Sequence, residues 1–389
     1  MTEDETTAEL PVTDADEALT SAEEMTPEQL AEAKRYGRQS LALGLADTGL
    51  DILYLGVMAV WFAAPLGAWF EQHIDSASLR VLAMFAIVYG LHECVSLPLA
   101  YFSGFVFEHR YGLSQQTRGR WFRQHFKQYF LSGAFNAVIF LGLFWVFWTT
   151  GDYWWITAAA ISIPVAILLG TLAPVLIVPL LYKTERLDDE ELSGRMRRLA
   201  DDAGLEIEGI YRLVLSEDTV KANAMLAGMG RTRRVMMGDT LLERFTPAEI
   251  EVVFAHEMGH HVHRHIPKLI AWMVVSVAAS FWLCDLAFSA WIGPAYDPAQ
   301  LPVWTLPVLM LLLNVLSLVT SPVLNIVSRH FERQCDRYAL DQTADAASYR
   351  SAFRKLAKLN KDDPQPNPVA VFLFHNHPPI SERLAMADE

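Results

Sequence analysis

The chain has 389 residues, a formal net charge of -14 and 52% hydrophobic residues, and only 20% of it is charged, against about 25% in an ordinary soluble domain. Eleven acids and no Lys or Arg fall within residues 1–32, so the acidity describes an N-terminal tail, and nucleic acid, which needs concentrated Lys and Arg, is excluded as the main partner. Cys94, Cys284 and Cys335 are too few and too scattered for a disulfide framework, and nothing demands an oxidising compartment.

Residues 1–36 read as an acidic disordered tail, because they cannot bury enough apolar surface to fold alone. The tail lacks a basic n-region followed by an apolar h-region, which argues against a cleaved secretory signal. Six apolar runs follow: Leu45–Trp69, Val81–Phe105, Tyr129–Thr149, Trp155–Leu181, Leu269–Trp291 and Val303–Val327. Each has 21 to 27 residues, enough to cross a bilayer at 1.5 Å per residue. The fourth is interrupted by Pro164, Pro174 and Pro179.

Basic residues cluster before the first run and between the second and third, including Arg35, Arg38, Arg118 and Arg123. The positive-inside rule then puts both termini, 182–268 and 328–389 on the cytoplasmic side. Asp47, Asp51, His92, Glu93 and Asp285 lie within spans and should face a bundle interior or a watery cavity.

After the fourth run the pattern turns soluble. Asp189–Ala203 reads as an amphipathic helix with Leu192, Met196 and Leu199 inward and Gly204 as its stop. Ile210–Leu215 and Arg234–Met237 read as strands, with Asn223–Leu226 a candidate third and a turn at Gly228, Met229 and Gly230. The expected architecture is mainly α: a four-span domain at 37–181, then a domain at 182–389 interrupted by spans at 269–291 and 303–327.

Thr246, Pro247 and Glu249 form a helix start: a capping hydroxyl, a preset first turn and a carboxylate that can return the bond. The helix so launched carries His256, Glu257 and His260. Four residues apart, the two imidazoles project from one face and can converge on one tetrahedral ion, while Glu257 can address a water without binding the ion itself. This is the HExxH pattern of zinc proteases. Zinc hydrolases use three protein ligands, and Glu332, just past the sixth run, is the candidate third. Asp336, one turn on, can accept the free N–H of a ligating histidine. Cys335 reads as a small buried packing residue.

The residues Glu108–Thr117, Asn223–Gly228, Arg234–Leu242, His256–His260, Ser328–Asp336 and His377–Arg383, in this order, resemble the type I CAAX prenyl protease family of integral-membrane zinc endopeptidases. The resemblance runs over nearly the whole chain after the tail. It implies a helical membrane bundle enclosing a chamber, with a gluzincin-like metalloprotease domain on the cytoplasmic side carrying a small β-sheet. It also implies one Zn2+ per chain held by His256, His260 and Glu332, and Glu257 as general base. Asn223 and Ala224 would hold an extended substrate backbone, and His377 and Arg383 would border the cleft and steady the oxyanion. The chain departs from the eukaryotic members in having six apolar runs rather than seven spans, and in having Cys335 where the family usually has alanine.

The expected partners are a lipid bilayer and a peptide or protein substrate, prenylated or otherwise membrane-associated. The expected location is a bacterial cytoplasmic membrane, with the endoplasmic reticulum as the alternative. Two other functions fit parts of the pattern: a membrane-protein quality-control protease of the bacterial heat-shock type, and a non-catalytic metal-binding membrane scaffold.

Overall fold

A computed structural model of the chain describes residues 24–228 and 232–389. Most of the acidic tail, and Met229 and Gly230 of the expected turn, lie outside the described residues. The tail's last ten residues are helical, contrary to expectation: α1 runs Pro27–Val57 and starts on a capping box between Thr26 and Gln29. Glu24 and Glu32 reach Arg354 and Lys361 at 3.3 and 2.7 Å, so some of these acids have fixed partners.

Among the described residues, five helical stretches are long and apolar enough to cross a membrane: Pro27–His73, Ala77–Arg110, Arg118–Leu172, His265–Ala295 and Val303–Thr343. The first joins α1 through a π-helical segment to α2 (Ala63–His73), and the second begins with α3 (Ala77–Tyr101). The third is a hairpin. Its first limb, α4 (Arg118–Thr150), ends at Gly151, whose φ of 51° suits glycine, and α5 (Trp154–Leu172) returns. Phe147 and Trp154 stack across the turn with ring centroids 3.9 Å apart. The third and fourth apolar runs are therefore the two limbs of one stretch. Outward-facing Leu53, Val60, Phe130, Val138, Val275 and Val319 are exposed by 63–68%, as a surface solvated by lipid would be.

Three of the intramembrane acids find partners. Asp51 meets His92 and Glu93 meets His125, each at 2.7 Å, while Asp285 accepts from Trp154 Nε1 and Tyr296 Oη. Unpaired charges at that depth are costly.

Between the hairpin and the last two apolar stretches lies a four-stranded sheet: β1 (Thr184–Arg186), β2 (Gly209–Leu213), β3 (Ala224–Ala227) and β4 (Arg234–Gly238), in the order β1-β2-β4-β3. Only β2 and β4 run parallel. β1 escapes sequence reading because three polar residues carry no alternation. α6 (Glu190–Asp202) buries Leu192, Met196 and Ala200 against this sheet, with Leu199 partly buried against the same core.

α7 (Pro247–Val262) has the capping box its sequence spells: Thr246 N donates to Glu249 Oε2 at 2.7 Å. Its apolar face, Ile250, Val253, Phe254 and Met258, packs into the same core as Val235 and Met237. α8 (His265–Ile292) leaves toward the far end of the bundle, and α9 (Leu306–Thr343) returns as one helix of 38 residues. α10 (Ala346–Asn360), α11 (Pro368–Phe374) and α12 (Ile380–Ala385) close the fold over α9.

Candidate metal centre and cleft

α9 carries Glu332, Cys335 and Asp336 on one face, at helical spacings of three and four. That face meets α7 at Gly259: a Cβ built there would lie 2.9 Å from Cys335 Cα and 3.0 Å from its sulfur. Glycine on one helix and a small residue on the other let the backbones approach. Cys335 is fully buried, as a packing residue should be.

This close crossing brings the three candidate ligands together. His256 Nε2 lies 3.2 Å from Glu332 Oε2, and His260 Nε2 lies 3.3 Å from Glu332 Oε1. Glu332 is 4% exposed, and its Oε2 is a buried atom that accepts no hydrogen bond of good geometry. A buried carboxylate whose two oxygens each face an imidazole nitrogen suits a shared cation. Two imidazole nitrogens and a carboxylate oxygen are the donor set of a catalytic zinc site with one position left for water.

Asp336, fully buried, accepts from His256 Nδ1 at 2.9 Å. This bond leaves Nε2 with the lone pair that faces Glu332. Arg383 borders the cleft, as its sequence position suggests, but its guanidinium is engaged away from a substrate oxygen. It is buried, stacked 3.9 Å over the Phe353 ring, and committed to Asp336 through Nε at 2.9 Å and Nη2 at 2.5 Å. His377 is the group left for a substrate oxygen: its side chain is 56% exposed and its Nδ1 is 2.8 Å from Glu332 Oε2. His375 instead uses its backbone carbonyl to accept from Arg329.

Burial alone would lower the pKa of His256, but hydrogen bonds with Asp336 and Glu332 outweigh it and carry the ring up to about 9. A metal ion needs the neutral ring, so protons compete with it below that pH. Apparent zinc affinity should rise by roughly tenfold per pH unit between about pH 7 and 9 and level off above. Chelator competition across that range measures this, and a flat profile would remove His256 from the ligand set. Burial holds the Glu257 carboxyl above its usual range, against the opposing pull of His256 and His260.

β3 is an edge strand beside α7. Asn223 O accepts from Gly238 N on the β4 side, so by strand alternation Ala224 and Leu226 turn their polar groups outward. Leu226 is already engaged: its N–H points to Glu257 Oε2 at 3.4 Å and its carbonyl accepts from His261 Nε2 at 3.0 Å. Ala222 N donates to Asn360 Oδ1. The outward N–H and C=O of Ala224 stand open between these two ties. A cleft of about 780 Å³ runs along them, lined by Asn223, Ala224, Glu257, His377 and, from α1, Gly37 and Gly44.

The approach to β3 is anchored on the membrane helices. Tyr36 of α1 donates to Glu108 at 2.7 Å, and Lys221 reaches Glu108 at 2.9 Å and Tyr36 Oη at 3.0 Å. Sequence reading missed this triad, His261 and Asn360, because no short spacing links them.

Residues 186–389 match the model of peptidase family M48, and residues 13–183 match the CAAX prenyl protease N-terminal module of five membrane helices. The chain is 27% identical to an uncharacterized metalloprotease of Bacillus subtilis, YhfN, over 94% of this chain and 87% of that protein. It is also 27% identical to CAAX prenyl protease 1 of Saccharomyces cerevisiae, over 81% and 74%. The crystal structure of S. mikatae Ste24p shares the fold, with a TM-score of 0.79, coverage of 96% of this chain and 93% of that one, and 23% identity.

Proposed function

Because the chain belongs to peptidase family M48 and matches a module of five membrane helices before it, a premise that makes it a multi-pass membrane protein of metalloprotease type, we propose that it is a zinc endopeptidase. It hydrolyses peptide bonds near the C-terminus of prenylated or membrane-associated peptides, with its active site on the cytoplasmic side. The observation that carries this reading is the buried Glu332 carboxylate, whose two oxygens face His256 Nε2 and His260 Nε2 at 3.2 and 3.3 Å, with Glu257 in the adjoining cleft.

In this reading His256, His260 and Glu332 hold the metal. Zinc, when bound, acidifies a water and polarises the scissile carbonyl. The open Ala224 backbone pair and Asn223 hold an extended peptide by strand addition. Glu257 takes the attacking water's proton and passes it to the leaving amine, a transfer helped by a carboxyl that burial has moved toward neutral pH. His377 donates to the oxygen on which charge develops. Asp336 keeps His256 in its ligating tautomer.

The test is cleavage, by the full-length zinc-loaded protein in detergent, of a peptide ending in a CAAX sequence, with and without a farnesyl group. Release of the last three residues, faster from the farnesylated peptide, is the expected result. Equal cutting of both peptides and of unfolded proteins would mean quality control. Zinc binding with no cutting would mean a scaffold.

A further inference from the structure

His265, the first residue of α8, is fully buried beside the metal-site residues without belonging to the set His256, His260 and Glu332. Its ring lies flat on Phe331, centroids 4.1 Å apart and planes 7° apart. Its Nε2 is 2.9 Å from Gln334 Oε1, and its Nδ1 is 3.2 Å from His260 Nδ1.

These contacts fix where the protons are. The Gln334 oxygen can only accept, so His265 carries its proton on Nε2. A neutral His265 then offers a lone pair at Nδ1, and the contact to His260 requires His260 Nδ1 to be the donor. His260 Nε2 is left unprotonated, and that atom is the one 3.3 Å from Glu332 Oε1. Cys335 Sγ, 3.6 Å from the same His265 nitrogen, is a weaker donor.

We propose that His265 is a positioning residue for the metal site: backed by Gln334, it fixes the tautomer and ring angle of His260, as Asp336 does for His256. The proposal rests on the reading of His256, His260 and Glu332 as zinc ligands. Its rival is a second ion, since ligand atoms of His260, His265 and Cys335 also lie within 4.8 Å of one another. That ion would have to take the last proton from a His260 already bound to the first, and the hydrogen-bonded relay needs no such step.

The experiment is zinc titration of the full-length, metal-stripped protein in detergent against a fluorescent chelator, with the metal-free melting temperature recorded in parallel. His265→Phe keeps the stack on Phe331 and loses the acceptor. It should weaken zinc binding by about 10–100-fold without lowering the metal-free melting temperature. Gln334→Leu should shift affinity in the same direction, Gln334→Glu should hold or tighten it, and the double variant His265→Phe/Gln334→Leu should be no weaker than His265→Phe alone, because both act through one relay. Unchanged zinc affinity in His265→Phe and Gln334→Leu overturns the proposal. So does a wild type that binds two ions per chain and a His265→Phe that binds one. Wild-type affinity in His260→Ala would instead bring down the zinc-site reading itself.

Discussion

Glu257→Gln should lower kcat by about 10²–10⁴-fold while zinc content stays at one ion per chain. The amide matches the carboxylate in size and still faces the Leu226 N–H, which now lies 3.4 Å from Oε2, but it cannot take a proton from water. Because Glu257 lies outside the candidate ligand set, zinc affinity should change little, so the loss should appear in kcat and not in metal occupancy. The measurement pairs steady-state kinetics on a cleavable peptide with metal analysis of the same preparation. Full activity would remove Glu257 from the chemistry. Loss of zinc together with activity would make it a ligand or a structural support.

Arg383→Leu should be the most damaging single change to the metal-free fold. Asp336 is fully buried, and the Arg383 guanidinium holds both of its oxygens. Removing the cation leaves a buried carboxylate with His256 as its remaining hydrogen-bond partner, and breaking such a pair costs about 3–5 kcal/mol. The apparent melting temperature of the metal-free protein in detergent should fall by roughly 5 °C. The double variant Arg383→Leu/Asp336→Leu separates this cause from lost packing on Phe353. If the orphaned charge is responsible, the double variant recovers much of the loss, because two apolar residues replace a buried pair at little cost. A double variant as unstable as the single one would place the effect in the packing of Arg383.

The parts of this fold that could be read in advance are those in which one short stretch contains its own reason. Thr246, Pro247 and Glu249 specify a helix start, and the structure begins α7 there. His256 and His260 share a face because of helix geometry alone. The same signature stands at Thr26, Pro27 and Gln29, but the surrounding acidity hid it and α1 was expected to begin later. Other features had no local sign. Glu332 reaches the histidines because Gly259 lets two helices far apart in the chain, Pro247–Val262 and Leu306–Thr343, close on each other. Arg383 does line the cleft, but its position after His377 says nothing of its bonds to Asp336, across the fold. His265 has no distinguishing signal in the sequence, and only packing against Phe331 and Gln334 singles it out.

α9 has a mechanical consequence. It is a single helix of 38 residues, and Glu332 sits 26 residues after its first residue, Leu306, or roughly 39 Å along a rod rising 1.5 Å per residue. A rod of that length is a lever: a 5° tilt about its far end would carry Glu332 sideways by roughly 3 Å, which is comparable to the 3.2 and 3.3 Å that separate it from the two imidazoles. The helices packed along α9, which set the tilt of such a rod, therefore bear on the geometry of the candidate metal site from a distance.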